Sequence, residues 1–189
     1  MFVLVENDSI TKTLNGNRGI TIGENQYPRA IFSLWSAAER EAIGIYEVVF
    51  NNTNFKDTHY YTNTNASITF VDGTATSSYG VATAKALEDV TKDGVTILGL
   101  KTRHKETIKK QAAGELQNTD WYVVRKADAG TAVPSAITNH RAAVRTKADE
   151  MEALIDACTS VDELATLYVY TEQEDGTHTR PLGEFPEAV

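Results

Sequence analysis

The side chains that most often carry enzymatic or metal chemistry are scattered along this chain of 189 residues. A metal site needs His, Cys or carboxylate ligands at close spacing, and the four histidines stand far apart, at His59, His104, His140 and His178. The single cysteine, Cys158, ends an apolar helical pattern, where a free thiol behaves as a small hydrophobic group. The sequence therefore predicts no metal site and no cofactor.

The sequence also lacks the motifs that position a nucleophile or a phosphate. It has no Gly-x-Ser-x-Gly elbow, and Gly16, Gly19 and Gly23 do not follow the spacing of a dinucleotide or phosphate loop. Glu39 and Glu41 fall on a predicted solvated helix face. We expect no enzymatic activity. A hydrolase stays as an alternative, because the two carboxylates of a glycosidase come from separate elements.

Three arginines are predicted on two facing helices: Arg125 on the first, and Arg141 and Arg145 on the second. Their guanidinium groups can pair with the carboxylates of Asp120 and Asp128, near the ends of the first helix. A charge-paired helical hairpin is the favoured interpretation, and a ligand site is the alternative.

Cap and turn residues set the limits of these two helices. Thr119 and Asp120 are N-cap candidates for the first helix, which carries Trp121. Gly130 tolerates the positive φ of a helix C-terminus, and Pro134 cannot simply continue the same helix. Ser135, directly after Pro134, is the predicted cap of the second helix.

The second helix carries an apolar seam whose spacing alternates between four and three residues, formed by Val144, Ala148, Met151, Ile155 and Cys158. Such spacing is typical of a helix packed on another helix. For Met151, Ile155 and Cys158 two interpretations stay open. They belong either to an internal core or to an interface shared with other chains.

Another helix is predicted over 100–117, with an apolar stripe expected to pack against Trp121, Val124 and the Val144–Met151 face in a three-helix unit. The same region holds a basic cluster of six residues, Lys101, Arg103, His104, Lys105, Lys109 and Lys110. A solvated helix face is the favoured interpretation of this cluster, with docking onto an acidic partner as the alternative.

The first part of the chain shows short strands and turns, with a capping box from Ser36 to Glu39 at the start of one short helix. An Asp-Gly pair between ITFV and TATSSY predicts a tight hairpin over 68–79. We therefore predict an α+β fold whose N-terminal part is antiparallel and β-rich.

The predicted organisation has four parts: a β-rich part at 1–80, a connector at 81–99 that begins with a helix over 82–90, a helical unit at 100–168, and an extended arm at 169–189. The arm has two prolines and little periodicity, and it would be disordered alone. Leu182 and Phe185 are apolar anchors by which it could dock on a neighbouring subunit.

Several runs of residues resemble one group of tailed-bacteriophage proteins. They are TDWYVVRK, AGTAVP and HRAAVR, with looser matches in YPRAIFSLWSAAEREAIGIYEV and HYYT, so that the likeness spans about Tyr27 to Leu167. Members of this group are tail-fibre-assembly-like or virion proteins of unknown function. The resemblance implies a role at the phage tail and gives no mechanism.

Charge and hydropathy narrow the classes of partner. The formal net charge of −8 argues against general binding to nucleic acid, and no apolar run reaches membrane-spanning length. The N-terminal MFVLVENDS indicates a strand and not a signal peptide, so we expect synthesis in the host cytoplasm. We expect a structural tail or tail-fibre adaptor in the virion, oligomeric in its assembly and bound to other tail or fibre proteins. A fibre-assembly chaperone and a tail-tip hydrolase are the alternatives.

Overall fold

The structure is a computed structural model that describes residues 1–188. Within these residues the chain is mixed α+β, with six helices and mostly antiparallel strand pairs, which confirms the predicted fold class. The chain divides into two compact units, the first ending at Thr83 and the second beginning at Ala84.

The first unit is built on a five-stranded sheet. The strands of this unit, inside and outside the sheet, are β1 (Phe2–Glu6), β2 (Ser9–Leu14), β3 (Ile20–Ile22), β4 (Asn25–Tyr27), β5 (Ile45–Asn51), β6 (Tyr61–Thr62), β7 (Ser67–Val71) and β8 (Thr74–Ser78). The sheet has the order β2-β1-β5-β8-β7, and β3 pairs with β4. The pair β5–β8 is parallel, and the other pairs in this sheet are antiparallel. A short strand β9 (Thr83–Ala84) lies at the boundary of the two units.

Side-chain alternation gives the sheet two apolar faces. Leu4 and Ile45 point into a cluster that also takes in Ile31, whereas Val3 and Val48 point into a second cluster on the opposite face. Ile45 and Val48 of β5 thus face opposite sides of the sheet.

Two short helices stand where one was predicted, α1 (Ile31–Leu34) and α2 (Ala37–Glu41). The chain becomes extended at Trp35, which ends α1, and Ser36 then caps α2. The capping box between Ser36 and Glu39 is present as predicted.

The hairpin β7–β8 confirms the prediction made from its Asp-Gly turn. Asp72 and Gly73 have φ values of 48° and 75°, and the flanking Val71 and Thr74 are paired. A tight turn with both central residues at positive φ matches the twist of the two strands.

The second unit is mainly helical. Its elements are β10 (Val90–Lys92), β11 (Val95–Ile97), α3 (Leu100–Gln117), α4 (Asp120–Ala129), α5 (Ser135–Ala157), α6 (Val161–Thr166), β12 (Thr171–Glu172) and β13 (His178–Thr179). None of the helices in residues 1–188 combines the length and apolar character needed to cross a bilayer.

The prediction of a helix over 82–90 is wrong. This stretch is non-helical and leads into the hairpin β10–β11, whose turn places Asp93 and Gly94 at positive φ. The Asp-Gly pair determines the local structure here, because its turn brings Val90 opposite Ile97. Residues 95–97 form the second strand of this hairpin.

Helix α5 packs along α3, and this contact forms the centre of the helical unit. The buried face of α3 includes Leu100, Ile108 and Ala112, as its periodicity predicted. In contrast, α4 has no buried residue and lies outside this main contact. The sequence predicted that α5 packs on α4 as a helical hairpin, but α5 packs mainly on α3.

Candidate interaction site

The start of α4 is held by one arginine of α5. The buried Arg141 donates from Nη2 to a carboxylate oxygen of Asp120 at 2.8 Å, and from Nη1 to the hydroxyl of Thr119 at 2.6 Å and the carbonyl of Leu116 at 2.9 Å. The Leu116 carbonyl belongs to the last turn of α3, where helix carbonyls lack intrahelical partners. Arg141 therefore joins the end of α3, the start of α4 and the body of α5.

The N-cap prediction is confirmed in its position, at Thr119, and wrong in its side-chain hydrogen bond. Thr119 occupies the N-cap position, but its hydroxyl donates to the Leu116 carbonyl at 2.8 Å and caps no amide of α4. Asp120 is the first helical residue, and its carboxylate faces Arg141. The competing requirement is the free carbonyl of α3, which Thr119 and Arg141 share.

The turn between α4 and α5 agrees with its prediction at Gly130 and differs at Ser135. Gly130 ends α4 with φ at 69°, the left-handed conformation that favours glycine. Pro134 occupies the N-cap position of α5, so Ser135 is already helical and provides no side-chain cap.

An exposed aromatic and cationic cluster covers the outer side of α4. The guanidinium carbon of Arg125 lies 4.7 Å from the Trp121 ring centroid and 5.4 Å from that of Tyr122. The Nε atom of Arg125 is buried and has no hydrogen-bond partner among residues 1–188. Arg125 thus interacts with two aromatic rings and not with a carboxylate. In the described chain, Asp128 also forms no ion pair, so the predicted clamp exists only between Arg141 and Asp120.

Two apolar residues of α4 were expected in the core and lie on the surface instead. Trp121 is 50% exposed and Val124 is 65% exposed. With Arg125 and Tyr122 they form what we call the α4 surface. None of the ten residues of α4 is buried, so packing against the rest of the unit adds little to the stability of this helix. The expected packing of Trp121 and Val124 against α3 is therefore wrong.

A cavity of about 290 Å³ opens between α4, the following turn and α5. Its lining combines apolar and cationic side chains, namely Val123, Lys126, Ala132, Val133, Thr138, Arg141 and Arg145. Arg145 donates to the carbonyl of Arg141 at 3.4 Å. We call this cavity the α4–α5 pocket.

The seam residues proposed as a candidate interface lie inside the protein. Met151, Ile155 and Cys158 are buried among the residues of their own unit, so they present no surface to another chain. This outcome selects the internal-core interpretation, because the seam of α5 faces α3. Burial raises the pKa of the Cys158 thiol, and the Glu163 carboxylate adds to the shift.

The C-terminal segment is folded and is not an extended arm. Strands β12 and β13 pair across a turn at Gly176, and Leu182 is fully buried, with its amide donating to the Leu167 carbonyl at 3.1 Å. Leu182 is therefore not available as an anchor for a partner. Phe185 is partly exposed and lines a small depression with Arg180 and Glu184.

Most of the basic cluster on α3 is paired inside the chain. Lys101 lies 2.6 Å from Glu88, Lys105 lies 2.7 Å from Asp156, and Lys109 pairs with Glu152 in the same way. The hydrogen bond to Asp156 raises the pKa of Lys105. The α3 cluster is thus paired in part, and the solvated-face interpretation holds for the exposed Arg103 and Lys110.

The histidines do not come together. His59 pairs with Asp57, His104 lies 2.7 Å from the Tyr168 hydroxyl, and His140 is buried on α5. Among residues 1–188 no group of three or more His, Cys, Asp or Glu side chains is placed to hold a metal ion.

No protein-family model, curated protein or solved structure matches this chain. The geometry of the chain itself therefore defines the candidate site. Sequence reasoning identified Asp120, Trp121, Arg125, Arg141 and Arg145 but missed Val123 and Lys126. Both lie on the turn of α4 that leads to Gly130, three residues apart, which places them on one face.

Proposed function

We propose that this protein is a structural component of a bacteriophage virion, a tail or tail-fibre adaptor that acts through protein–protein contacts. The observation that carries the proposal is the α4 surface. Trp121 and Val124 are at least half exposed there, beside Tyr122 and Arg125. Trp, Tyr and Arg are the residue types in which the binding energy of protein interfaces is concentrated.

The energetics of α4 favour a docked partner over a solvated surface. Large apolar side chains that stay in water contribute nothing to folding, whereas burial of apolar area is worth roughly 25 cal/mol per Å². The helix is nevertheless fixed in place through Asp120 and Arg141, so the surface is rigid before binding.

The phage context of the proposal is supported by the resemblance of TDWYVVRK, AGTAVP and HRAAVR to tail-associated phage proteins. All three runs belong to the candidate site, and AGTAVP supplies Ala132 and Val133 of the α4–α5 pocket. TDWYVVRK begins at Thr119 and forms most of α4, and HRAAVR carries Arg141 and Arg145 on α5. The same residues therefore support both the resemblance and the interaction surface.

Quantitative mass spectrometry of purified virions tests the proposal. We expect the protein at a fixed copy number relative to the major tail proteins. Its absence from virions that otherwise contain a complete tail would contradict the virion role and favour a fibre-assembly chaperone that leaves before maturation.

A pair of surface variants tests whether the α4 surface is the contact. We expect Val124→Ser to lower incorporation into virions and leave the melting temperature nearly unchanged, since Val124 is exposed. Val95→Ser is the matched control, because Val95 has the same exposure of 65% in the same unit. Equal incorporation of both variants at wild-type level would show that the contact lies elsewhere.

A further inference from the structure

The α4–α5 pocket differs from the α4 surface in its charge. Lys126, Arg141 and Arg145 bring three cationic groups to one cavity, and Val123 and Val133 give it an apolar wall. This concentration of positive charge stands on a chain whose formal net charge is −8.

Two of the three cations are free to bind an anion. The charge of Arg141 is matched by Asp120 at 2.8 Å. Within the described chain, Lys126 and Arg145 form no ion pair, and Arg145 donates only to the carbonyl of Arg141. The cations of α3 differ in this respect, since Lys101 and Lys105 already have carboxylate partners.

We propose that the α4–α5 pocket binds a carboxylate side chain of an acidic polypeptide segment, with a neighbouring apolar side chain of that segment against Val123 and Val133. This inference rests on the proposed function and gives the chemistry of the partner. Opposite charge on the two surfaces raises the association rate and selects the partner.

The dimensions of the pocket favour a side chain over a whole cofactor. Pockets that enclose a small-molecule ligand have volumes of roughly 300 to 1,000 Å³, and this pocket holds about 290 Å³. Nucleic acid is a poorer ligand than an acidic peptide, because the apolar wall of Val123 and Val133 suits an apolar side chain beside the carboxylate and not a second phosphate.

Fluorescence anisotropy with a labelled peptide of alternating Glu and Leu tests the inference, and the same peptide with Gln in place of Glu is the ligand control. We expect the Glu peptide to bind roughly tenfold more tightly than the Gln peptide, and to bind more weakly as salt is raised. Equal affinity for the two peptides, or no binding of either, would overturn the proposal. So would a single-stranded oligonucleotide that binds as tightly as the Glu peptide.

The double variant Lys126→Gln/Arg145→Gln should weaken binding of the Glu peptide by about tenfold, because it removes both unpaired cations. Arg103→Gln/Lys110→Gln is the matched control, since Arg103 and Lys110 are exposed cations of α3 that do not line the pocket. An equal loss in both variants would indicate general charge attraction and overturn the assignment to the pocket.

Thr138→Glu provides a second test that keeps both cations. Thr138 is exposed and lines the pocket, so a carboxylate at this position would occupy the site from within the chain. We expect this variant to lose peptide binding and retain its melting temperature, and unchanged binding would overturn the proposal. If peptide binding fails while the protein still enters virions, the pocket assignment is wrong and the proposed function stands.

Discussion

Arg141 lies 2.8 Å from Asp120, and through this contact α5 fixes the start of a helix that buries none of its own residues. The pair is asymmetric. Arg141 is buried and also binds Thr119 and Leu116, whereas the Asp120 carboxylate is largely exposed. The arginine therefore has the larger structural role, and the aspartate sets the orientation of one end of its guanidinium group.

Removal of Arg141 should destabilise the second unit. In Arg141→Met the Leu116 carbonyl and the Thr119 hydroxyl keep their bond to each other but lose the guanidinium that donates to both, and hydrogen bonds to a charged group contribute about 1.5–3 kcal/mol. We expect the free energy of unfolding to fall by about 2–3 kcal/mol in a urea titration.

Asp120→Asn is the control for that substitution. The exposed carboxylate contributes little through its ion pair, because solvent screens it, so we expect a loss below about 1 kcal/mol. A larger loss in Asp120→Asn than in Arg141→Met would contradict the asymmetry described above.

The start of α6 gives a prediction about pH. The amide of Thr159 donates to the Glu163 carboxylate at 2.6 Å, and this bond, followed by that from the Thr159 hydroxyl, lowers the pKa of Glu163 below its ordinary value. A carboxylate with a lowered folded-state pKa stabilises the fold above its unfolded pKa, and this stabilisation is lost as pH falls through the folded pKa.

Glu163→Gln should remove this pH-dependent contribution. We expect the melting temperature of the variant to lie below that of the wild type at about pH 7, and the difference to shrink as the pH falls through the lowered folded-state pKa of Glu163. Thermal melts followed by circular dichroism measure both. A difference that stays constant across this range would show that the ionised carboxylate is not the stabilising species.

Sequence reasoning predicted the elements whose signals are local. The Asp72-Gly73 turn predicted its hairpin, the Ser36 capping box predicted the start of α2, and Gly130 predicted the end of α4. Each depends on backbone preferences within a few residues, and these act almost independently of the rest of the fold.

The predictions that were wrong concern tertiary packing. The spacing of Ile155 and its neighbours predicted a buried seam but not the helix against which it packs, because a 3.6-residue period describes one helix alone. Trp121 was expected inside, since large aromatic residues usually fill cores. The exposure of Trp121 and the pocket beside Lys126 depend on how three helices meet at Arg141. Residue spacing along the chain does not reveal such a meeting point.

The seam of α5 gives a direct test of the internal core. Ile155 is fully buried, whereas the adjacent Leu154 is 38% exposed. We expect Ile155→Asp to abolish the cooperative thermal transition of the second unit, because an isolated charge in an apolar site is strongly disfavoured.

Leu154→Asp introduces the same charge one position away on the outer side of the helix and should retain a cooperative transition. Size-exclusion chromatography of the two variants separates the core from an interface between chains. An Ile155→Asp protein that stays folded but changes its oligomeric state would show that this seam is an interface between chains.

The folded C-terminal segment reverses the expectation for truncation. A disordered arm would be removable without loss of stability, but Leu182 is fully buried and its amide is bonded to Leu167. We therefore expect deletion of residues 172–189 to lower the melting temperature of the second unit. Leu182→Ala alone should cost about 2–5 kcal/mol, as buried leucines usually do when truncated.

Val169→Ala is the control for that substitution, because Val169 belongs to the same segment and is 54% exposed. We expect its free energy of unfolding to stay within about 0.5 kcal/mol of the wild type in the same urea titration, as is usual for surface positions. Amide hydrogen exchange adds an independent measurement. The Leu182 amide should exchange slowly in the wild type, since its bond to Leu167 opens only with the packing around Leu182. Fast exchange at Leu182, together with a truncated protein as stable as the full chain, would show that the segment is an undocked arm.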